Sequence, residues 1–503
     1  MLMGGGSELS GLEIHGVRSR AFLRSPTVIL AGILLLAMGL RLYHVGALPL
    51  GRHDWRQSDT AAVARNFYEH GYRFLQPEVD WGAMRRDSPP GPTAAGMEFP
   101  VYQFTTALLY GVFGVNVVWA RILSVVGSLI GVFFFHRLVE LQVDRRTANW
   151  SCLLYAILPL SIYYGRTIQP ESWLIAASIA GIYCFARWVR SDRARFLVVS
   201  ALCIALACLL KFALYLGLPL LYLTWTKYGA RSLVQWRLWI YAVIVLVPCV
   251  AWYGYSGELA QKTGVGYGVV SQGLFTDWDL ILTWEFYNKL FFRQLAERHF
   301  TWIGFVVLLV GIALPRREPG ERLFDFWALG VLVYFFLAAK LIYIHEYYQM
   351  PLTAPACVFM GKVFARGWTN RRAVLLPTLI GIILFSGWRW WAYMLMERPG
   401  SSPHSRVAEV IAEHTNPVDP VITASARPIW LYLSHRKGWR EPRDGITAER
   451  IQSRVENGAR YLVGRRESFS AARWRMLEEA FAAYTVVYDD GDIFLLRLTP
   501  DGQ

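Results

Sequence analysis

The stretch FPVYQFTTALLYGVFGV, residues 99–115, decides how this 503-residue chain is arranged. It is apolar enough for a short membrane span, yet Glu98 precedes it and Pro100, Gln103, Thr105 and Thr106 lie within it. That polarity suits a helix lying in the bilayer interface. A spanning helix needs about 20 apolar residues. Runs approaching that length are Pro26–Val45, Val118–Leu138, Ala148–Tyr164, Ser172–Val189, Phe196–Leu210, Phe212–Trp225, Leu238–Tyr253, Phe300–Leu314, Phe324–Leu341, Met350–Phe364 and Ala373–Met396. If 99–115 stays in the interface, the basic loops Arg137–Arg146, Arg187–Arg195, Lys227–Arg237, Arg316–Arg322 and Arg366–Arg372 share a side with Arg18, Arg20 and Arg24. If it spans, all of them move to the opposite side. Positive charge collects on the cytoplasmic side, so the expectation is about eleven spans, with 99–115 a juxtamembrane helix on the outer face. The parity depends on Phe196–Trp225 being two short spans that turn at Lys211.

Composition supports a polytopic membrane protein: 54% hydrophobic residues, 15% aromatic, 17% charged. The formal charge of +14 is explained by the basic loops and gives no reason to invoke nucleic acid. Six cysteines all lie inside apolar runs and show neither metal nor disulfide spacing. The run Pro26–Val45 exceeds a signal peptide's apolar core and reads as a retained anchor, with Arg41 expected to snorkel near its far end. The expected organisation is a cytoplasmic tail (1–25), a membrane domain (26–396) whose first outer loop covers 46–117, and a small outer α/β domain (397–503). In that last segment Arg406–His414, Thr447–Asn457 and Ala471–Ala483 read as helices. Pro420–Ala424, Arg460–Val463, Tyr484–Tyr488 and Ile493–Leu498 read as strands, and Asp490-Gly491 as a tight hairpin turn. Its expected role is support or acceptor binding.

Orientation gathers the unusual polar residues on one face. The first outer loop opens with His53-Asp54-Trp55-Arg56-Gln57-Ser58-Asp59-Thr60, and Thr60–His70 reads as an amphipathic helix that Ser58 or Asp59 would cap. Glu98 and Glu171 add two more acids, and four carboxylates offer a general base for an acceptor hydroxyl. Lys211 stands alone between two apolar halves, either a snorkelling lysine or a functional cation. Arg56, Arg166 and Arg293 suit bidentate phosphate contacts. His345-Glu346-Tyr347-Tyr348 heads another helix; its tyrosines read either as interfacial belt residues or as hydroxyl donors to an anionic leaving group. The His–Glu spacing is wrong for a helical metal pair. No Gly-rich nucleotide loop is present, which weighs against a nucleotide-sugar donor. The residues together fit transfer of a group from a lipid-embedded phosphate carrier to a hydroxyl.

The chain resembles the C-type membrane glycosyltransferases, in the branch of the protein mannosyltransferases and the lipid A aminoarabinose transferases. The resemblance rests on ordered pieces: the acidic loop leading into Ala61–Gly71; Phe99-Pro100-Val101-Tyr102 with Phe113-Gly114; Arg121-Ile122-Leu123-Ser124 with Gly127; Arg166 and Glu171; Lys211 with Pro219; Tyr347-Tyr348 with Pro351. It implies an inverting transfer of a sugar from a polyprenyl-phosphate donor, on the outer face of a bacterial inner membrane, with a first-loop aspartate as base. The acceptor (protein, lipid or glycan) stays open, and no cofactor or metal is implied. Two positions depart from the family. Arg56-Gln57 stands where an Asp-Glu pair is usual, and Glu98 where a lysine is usual. A subgroup with Trp-Arg-Gln in this loop and Glu-Phe-Pro later looks closer. The expected catalytic residues are Asp54, Asp59 and Glu171, the base being Asp54 or Asp59. Arg56, Glu98, Arg166, Lys211, His345, Tyr347 and Tyr348 are expected to contact substrate. The competing readings are a transporter of a lipid-linked saccharide and a non-catalytic binding subunit.

Overall fold

The computed structural model describes residues 26–498 except 269, 271–276, 399 and 401. The arginines at 18, 20 and 24 lie outside the described residues. Every apolar run anticipated as a span is helical: α1 (Pro26–Leu42), α4 (Val117–Gln142), α5 (Arg145–Ile157) with α6 (Pro159–Tyr164), α7 (Glu171–Ser191), α8 (Ala194–Leu210), α9 (Gly217–Tyr228), α10 (Trp236–Thr263), α13 (Trp302–Ala313), α14 (Arg322–Leu337) with α15 (Ala339–Ile344), α16 (Thr353–Gly367) and α17 (Arg372–Met396). Helix α2 (Asp54–Glu69) and helix α3 (Val101–Phe113) belong to the first loop, together with the short pair β1 (Glu78–Val79) and β2 (Thr93–Ala94). Two single-turn helices, α11 (Trp278–Ile281) and α12 (Trp284–Tyr287), precede a π-helical segment Asn288–His299. Among the described residues, by length and composition alone, four helices can cross a bilayer (α4, α7, α10 and α17), or five if Trp284–His299 and Trp302–Ala313, bent by 109°, form one span. The remaining apolar helices have 17 residues or fewer. Pro159 starts a new helix after Leu158, and residue 338 interrupts the run that ends at Leu341.

Helix α7 is the centre of the bundle, packed against α4 and α8, while α5 joins α4 to α16. In its apolar window 78% of residues are buried, against 22% for α10 and α17, whose outward faces meet no other part of the chain. Arg41 does not snorkel. It is fully buried, donating from Nε to Ser128 Oγ (2.8 Å) and from Nη1 and Nη2 to the Ala156 and Ser161 carbonyls (3.2 and 3.1 Å). These bonds replace the water that an interfacial guanidinium would have had.

After α17 the chain forms α18 (His404–His414), β3 (Val421–Thr423), α19 (Ile429–Ser434), β4 (Gly438–Arg440), α20 (Ala448–Glu456), β5 (Tyr461–Arg465), α21 (Ala471–Phe481), β6 (Thr485–Asp489) and β7 (Ile493–Arg497). The sheet order is β4-β3-β5-β7-β6; β3 runs parallel to β4 and β5, and β7 antiparallel to β5 and β6. Side chains alternate between the two faces, as strand geometry requires. Val421, Tyr461, Val463, Ile493 and Leu495 join a core with Val63, Phe67, Val79 and Trp81 of the first loop. Ile422, Leu462, Phe494 and Leu496 pack on the other face with Ile451 and Leu477. The C-terminal sheet is therefore continuous with the first loop.

Its edge strand completes that union. Gly82 and Gly91 both donate backbone N–H bonds to the Gly438 carbonyl (2.8 and 3.0 Å), and Gly438 donates to the Asp80 carbonyl (3.1 Å). Buried Asp80 accepts from Arg65 Nη2 (2.6 Å), Asn66 Nδ2 (3.1 Å) and Lys437 Nζ (2.5 Å). Arg65 is thus buried and paired.

Candidate active site

Helix α2 starts at Asp54, earlier than the sequence suggested. Its N-cap, His53, adopts a left-handed conformation (φ 53°) with no side-chain cap bond. Ser58 and Asp59 are interior residues and cap nothing. Ser58 Oγ donates back to the Asp54 carbonyl (2.7 Å), and Thr60 Oγ1 to the Arg56 carbonyl (2.8 Å), as hydroxyls within helices do. The phase of this helix then sorts the polar cluster. At 3.6 residues per turn, Arg56 and Asp59 lie roughly 60° apart, while Asp54 lies roughly 160° away from Arg56. Asp54 therefore points elsewhere. Its Oδ2 accepts from Arg427 Nη1 (2.9 Å) and stands 3.3 Å from His404 Nε2, both on the C-terminal segment.

The face carrying Arg56 borders a small, partly enclosed cavity of about 50 Å³. Trp55 and Arg56 come from α2, Glu98 from the entry to α3, and Lys211 from the break between α8 and α9. Tyr253 and Tyr267 come from the end of α10 and just beyond it, and Tyr334, His345, Tyr347 and Tyr348 from α14 and the head of α16. Of the residues expected to contact substrate, Arg56, Glu98, Lys211, His345, Tyr347 and Tyr348 thus converge on one wall. Arg166 does not. It donates from Nη1 to Glu397 (2.8 Å) and from Nη2 to the His44 carbonyl (2.5 Å), tying the end of α1 to the end of α17.

Two buried ion pairs hold the wall: Arg56 with Glu98, both lining the cavity, and Lys211, which lines it, with Glu171, which lies behind it. Lys211 follows the last turn of α8 in extended conformation. Its Nζ lies 4.2 Å from the ring centroids of both Tyr347 and Tyr348, within cation–π range. Glu171, in the first turn of α7, receives Lys211 on Oε1, while its buried Oε2 accepts no bond. Burial alone would depress the Arg56 guanidinium, but Glu98 beside it outweighs this and holds Arg56 above its ordinary pKa. It is a fixed cation.

Asp59 is close to the cavity without lining it. Its carboxylate accepts from Tyr267 OH (2.6 Å) and Trp81 Nε1 (3.0 Å). Burial pushes its pKa up to about 6, against the opposing pull of Arg440, the two hydrogen bonds and Arg56. Below Tyr347, buried Glu346 accepts from Arg52 Nε (2.5 Å) and Tyr164 OH (3.0 Å) and lies 3.2 Å from His53 Nε2, fixing the start of α2 against the segment that carries the tyrosines. Tyr267, Glu346 and Asp80 were not singled out from the sequence. Glu346 sat in a noted motif, but nothing near Tyr267 announced it. Among the described residues, no group of three or more His, Cys, Asp or Glu side chains is arranged to hold a metal ion.

A comparison of the whole architecture with solved structures finds ArnT from Cupriavidus metallidurans bound to undecaprenyl phosphate. The TM-score is 0.63 at 12% identity, over 94% of this chain and 98% of that one. The chain shares the fold of this membrane protein. The archaeal oligosaccharyltransferase AglB from Archaeoglobus fulgidus, in complex with an inhibitory peptide and a dolichol-phosphate, matches at TM-score 0.55 and 13% identity, covering 95% of this chain and 76% of that one. The family model for dolichyl-phosphate-mannose-protein mannosyltransferases matches residues 92–255. YycA of Bacillus subtilis, whose mannosyltransferase assignment is provisional, is 27% identical over 188 residues, spanning 36% of this chain and 24% of the relative's length. The apolar helices, in a fold shared with these membrane proteins, make this an integral membrane protein.

Proposed function

We propose that the protein transfers a sugar from a polyprenyl-phosphate donor to an acceptor hydroxyl at the outer face of the membrane, in a single inverting displacement. The observation that carries this reading is the cavity wall itself, where Lys211 lies across two tyrosine rings and Arg56 stands beside Glu98. The acceptor oxygen attacks the anomeric carbon as the bond from that carbon to the phosphate oxygen breaks. The electron pair leaves on the phosphate, and the acceptor's proton passes to a carboxylate. Lys211 and Arg56 are suited to hold the phosphate as its charge grows, so a separate general acid is unnecessary.

The same arrangement favours Glu171 as the base. Its Oε1 is paired with Lys211, while its Oε2 carries no hydrogen bond. When Lys211 turns to the phosphate, the carboxylate leaves that ion pair and is free to take the acceptor's proton. Asp54 is engaged by Arg427, and both oxygens of Asp59 accept hydrogen bonds, so neither is as well placed. The basic loops support an outer-face location for this wall.

The test is purified protein in lipid nanodiscs, given a polyprenyl-phosphate-linked sugar and assayed for release of free polyprenyl phosphate. Lys211→Met and Glu171→Gln should each lower the rate at least ~100-fold, the scale of an electrostatic or base contribution. Undiminished release by both variants would place the chemistry elsewhere. No release by the wild type with any donor would sink the reading.

A further inference from the structure

Asp59 was expected among the catalytic acids, yet it lies behind the cavity wall. We infer that Asp59 is a positioning residue: with Trp81 and Arg440 it locks the Tyr267 ring beneath Arg56, so that the C-terminal strand β4 helps to build the phosphate-facing wall. This rests on the function proposed above.

The links are continuous. Arg440, on β4, places its guanidinium 3.7 Å from the centroid of the Trp81 ring. Trp81 donates its indole N–H to one oxygen of Asp59, and Tyr267 donates its hydroxyl to the other. The Arg56 guanidinium stands 5.4 Å from the Tyr267 ring centroid, and both residues line the cavity. The Tyr267 backbone is also fixed, donating its N–H to the Gly96 carbonyl (2.8 Å), while Gly96 donates to the Val265 carbonyl (3.0 Å). Only the ring's rotation about its side-chain torsions remains free, and the hydroxyl bond to Asp59 removes that freedom. A carboxylate with both oxygens occupied by fixed donors is a rigid anchor. Its geometry transmits to Arg56, whose direction decides how an anion is met.

The experiment measures binding of undecaprenyl phosphate to the purified full-length protein in nanodiscs, for wild type, Asp59→Asn, Tyr267→Phe, the double variant, Arg440→Ala and Arg440→Lys. The expected result is about tenfold weaker binding for each of the first two, with the double variant no worse than either, because both break one link. Arg440→Lys should retain more affinity than Arg440→Ala. Transfer kinetics should show the loss in KM for the donor, with kcat changed less than threefold. An additive double variant, or a loss confined to kcat, would overturn the positioning role. A donor-independent arm uses 3-fluorotyrosine at position 267. One sharp fluorine resonance is expected in the otherwise unchanged protein, splitting or broadening with Asp59→Asn and Arg440→Ala. If wild type binds no polyprenyl phosphate, the functional reading fails and this arm alone decides the positioning. An unaltered resonance in both variants refutes it.

Discussion

The junction between the first loop and the C-terminal sheet hangs on Asp80, and replacing it by asparagine should open that junction. Asp80 has no exposed surface. Its two oxygens serve Arg65, Asn66 and Lys437, and its carbonyl accepts from Gly438 of the edge strand. Asparagine keeps the shape but leaves Arg65 and Lys437 with only the half-exposed Glu69, 3.9 Å from each, as a counter-charge. Removing one partner of a buried ion pair costs about 3–5 kcal/mol. The Lys437 side chain is 22% exposed and recovers some hydration, so the cost falls mainly on Arg65 at 2% and belongs at the lower end of that range. At about 1.4 kcal/mol per tenfold, ~3 kcal/mol raises the open population on the order of a hundredfold. Hydrogen exchange by mass spectrometry reads this directly at the Gly82, Gly91 and Gly438 amides that bond across the junction. Lys437→Met is the control: Asp80 keeps Arg65 and Asn66, and exchange should accelerate by about tenfold or less. Equal acceleration in the two variants, or none with Asp80→Asn, would refute the assignment of Asp80 as the anchor. The pH response has a defined sign. Burial raises the Asp80 pKa, but Arg65, Lys437 and Asn66 outweigh it and hold the carboxyl below its ordinary value. Its contribution is therefore complete above the ordinary carboxylate range and is lost as pH falls below it.

Asp59 gives the opposite sign. With its pKa raised from 3.8 to about 6, the folded state binds the extra proton between those values. Stability should fall as pH rises from about 4 to about 6, by up to ~3 kcal/mol, and then level off. The groups facing it are Arg440, Trp81, Tyr267 and Arg56, and Asp59→Asn should flatten the slope in denaturation midpoints measured across that range. Gly438→Ala should loosen β4, because a methyl group there would overlap the Val421 carbonyl oxygen; a thermal midpoint equal to the wild type would contradict the tight strand packing.

How much of this was legible in the sequence depended on which physical signal each residue carried. The apolar runs were found because twenty-residue hydropathy is a strong signal. Their interruptions at Leu158 and Ala338 were missed because breaks within apolar sequence leave hydropathy unchanged. The C-terminal strands β3, β5, β6 and β7 and helices α18, α20 and α21 were legible from alternating and helical periodicity. Helix α19 and strand β4 were not, being six and three residues long. Strand β4 also owes its place to backbone bonds from Asp80, Gly82 and Gly91, partners more than three hundred positions away that no local pattern reveals.

The wall of the candidate site was legible in its charged and aromatic members because each interrupted an apolar context: Lys211 between two helices, Glu98 before an apolar helix, Tyr347 and Tyr348 at a helix head. What the sequence left open between Asp54 and Asp59 is a question of helical phase. Starting α2 near Thr60 leaves both aspartates in a flexible loop, equally free to reach substrate. Starting it at Asp54 fixes them on different faces, one turned to Arg427 and His404, the other to Tyr267 and Trp81. The earlier start is stabilised by contacts outside the helix. Gln57 donates Nε2 to the Arg52 carbonyl (3.0 Å) and accepts the Ile168 N–H on Oε1 (3.3 Å), while Glu346 holds Arg52 and His53. Those partners come from the turn before α7 and the head of α16, so the phase of α2 is set by tertiary structure rather than by its own caps. The same contacts that turn Asp54 away from the cavity leave Arg56 on its wall, and that division is the reason Glu171, and not a first-loop aspartate, is the proposed base.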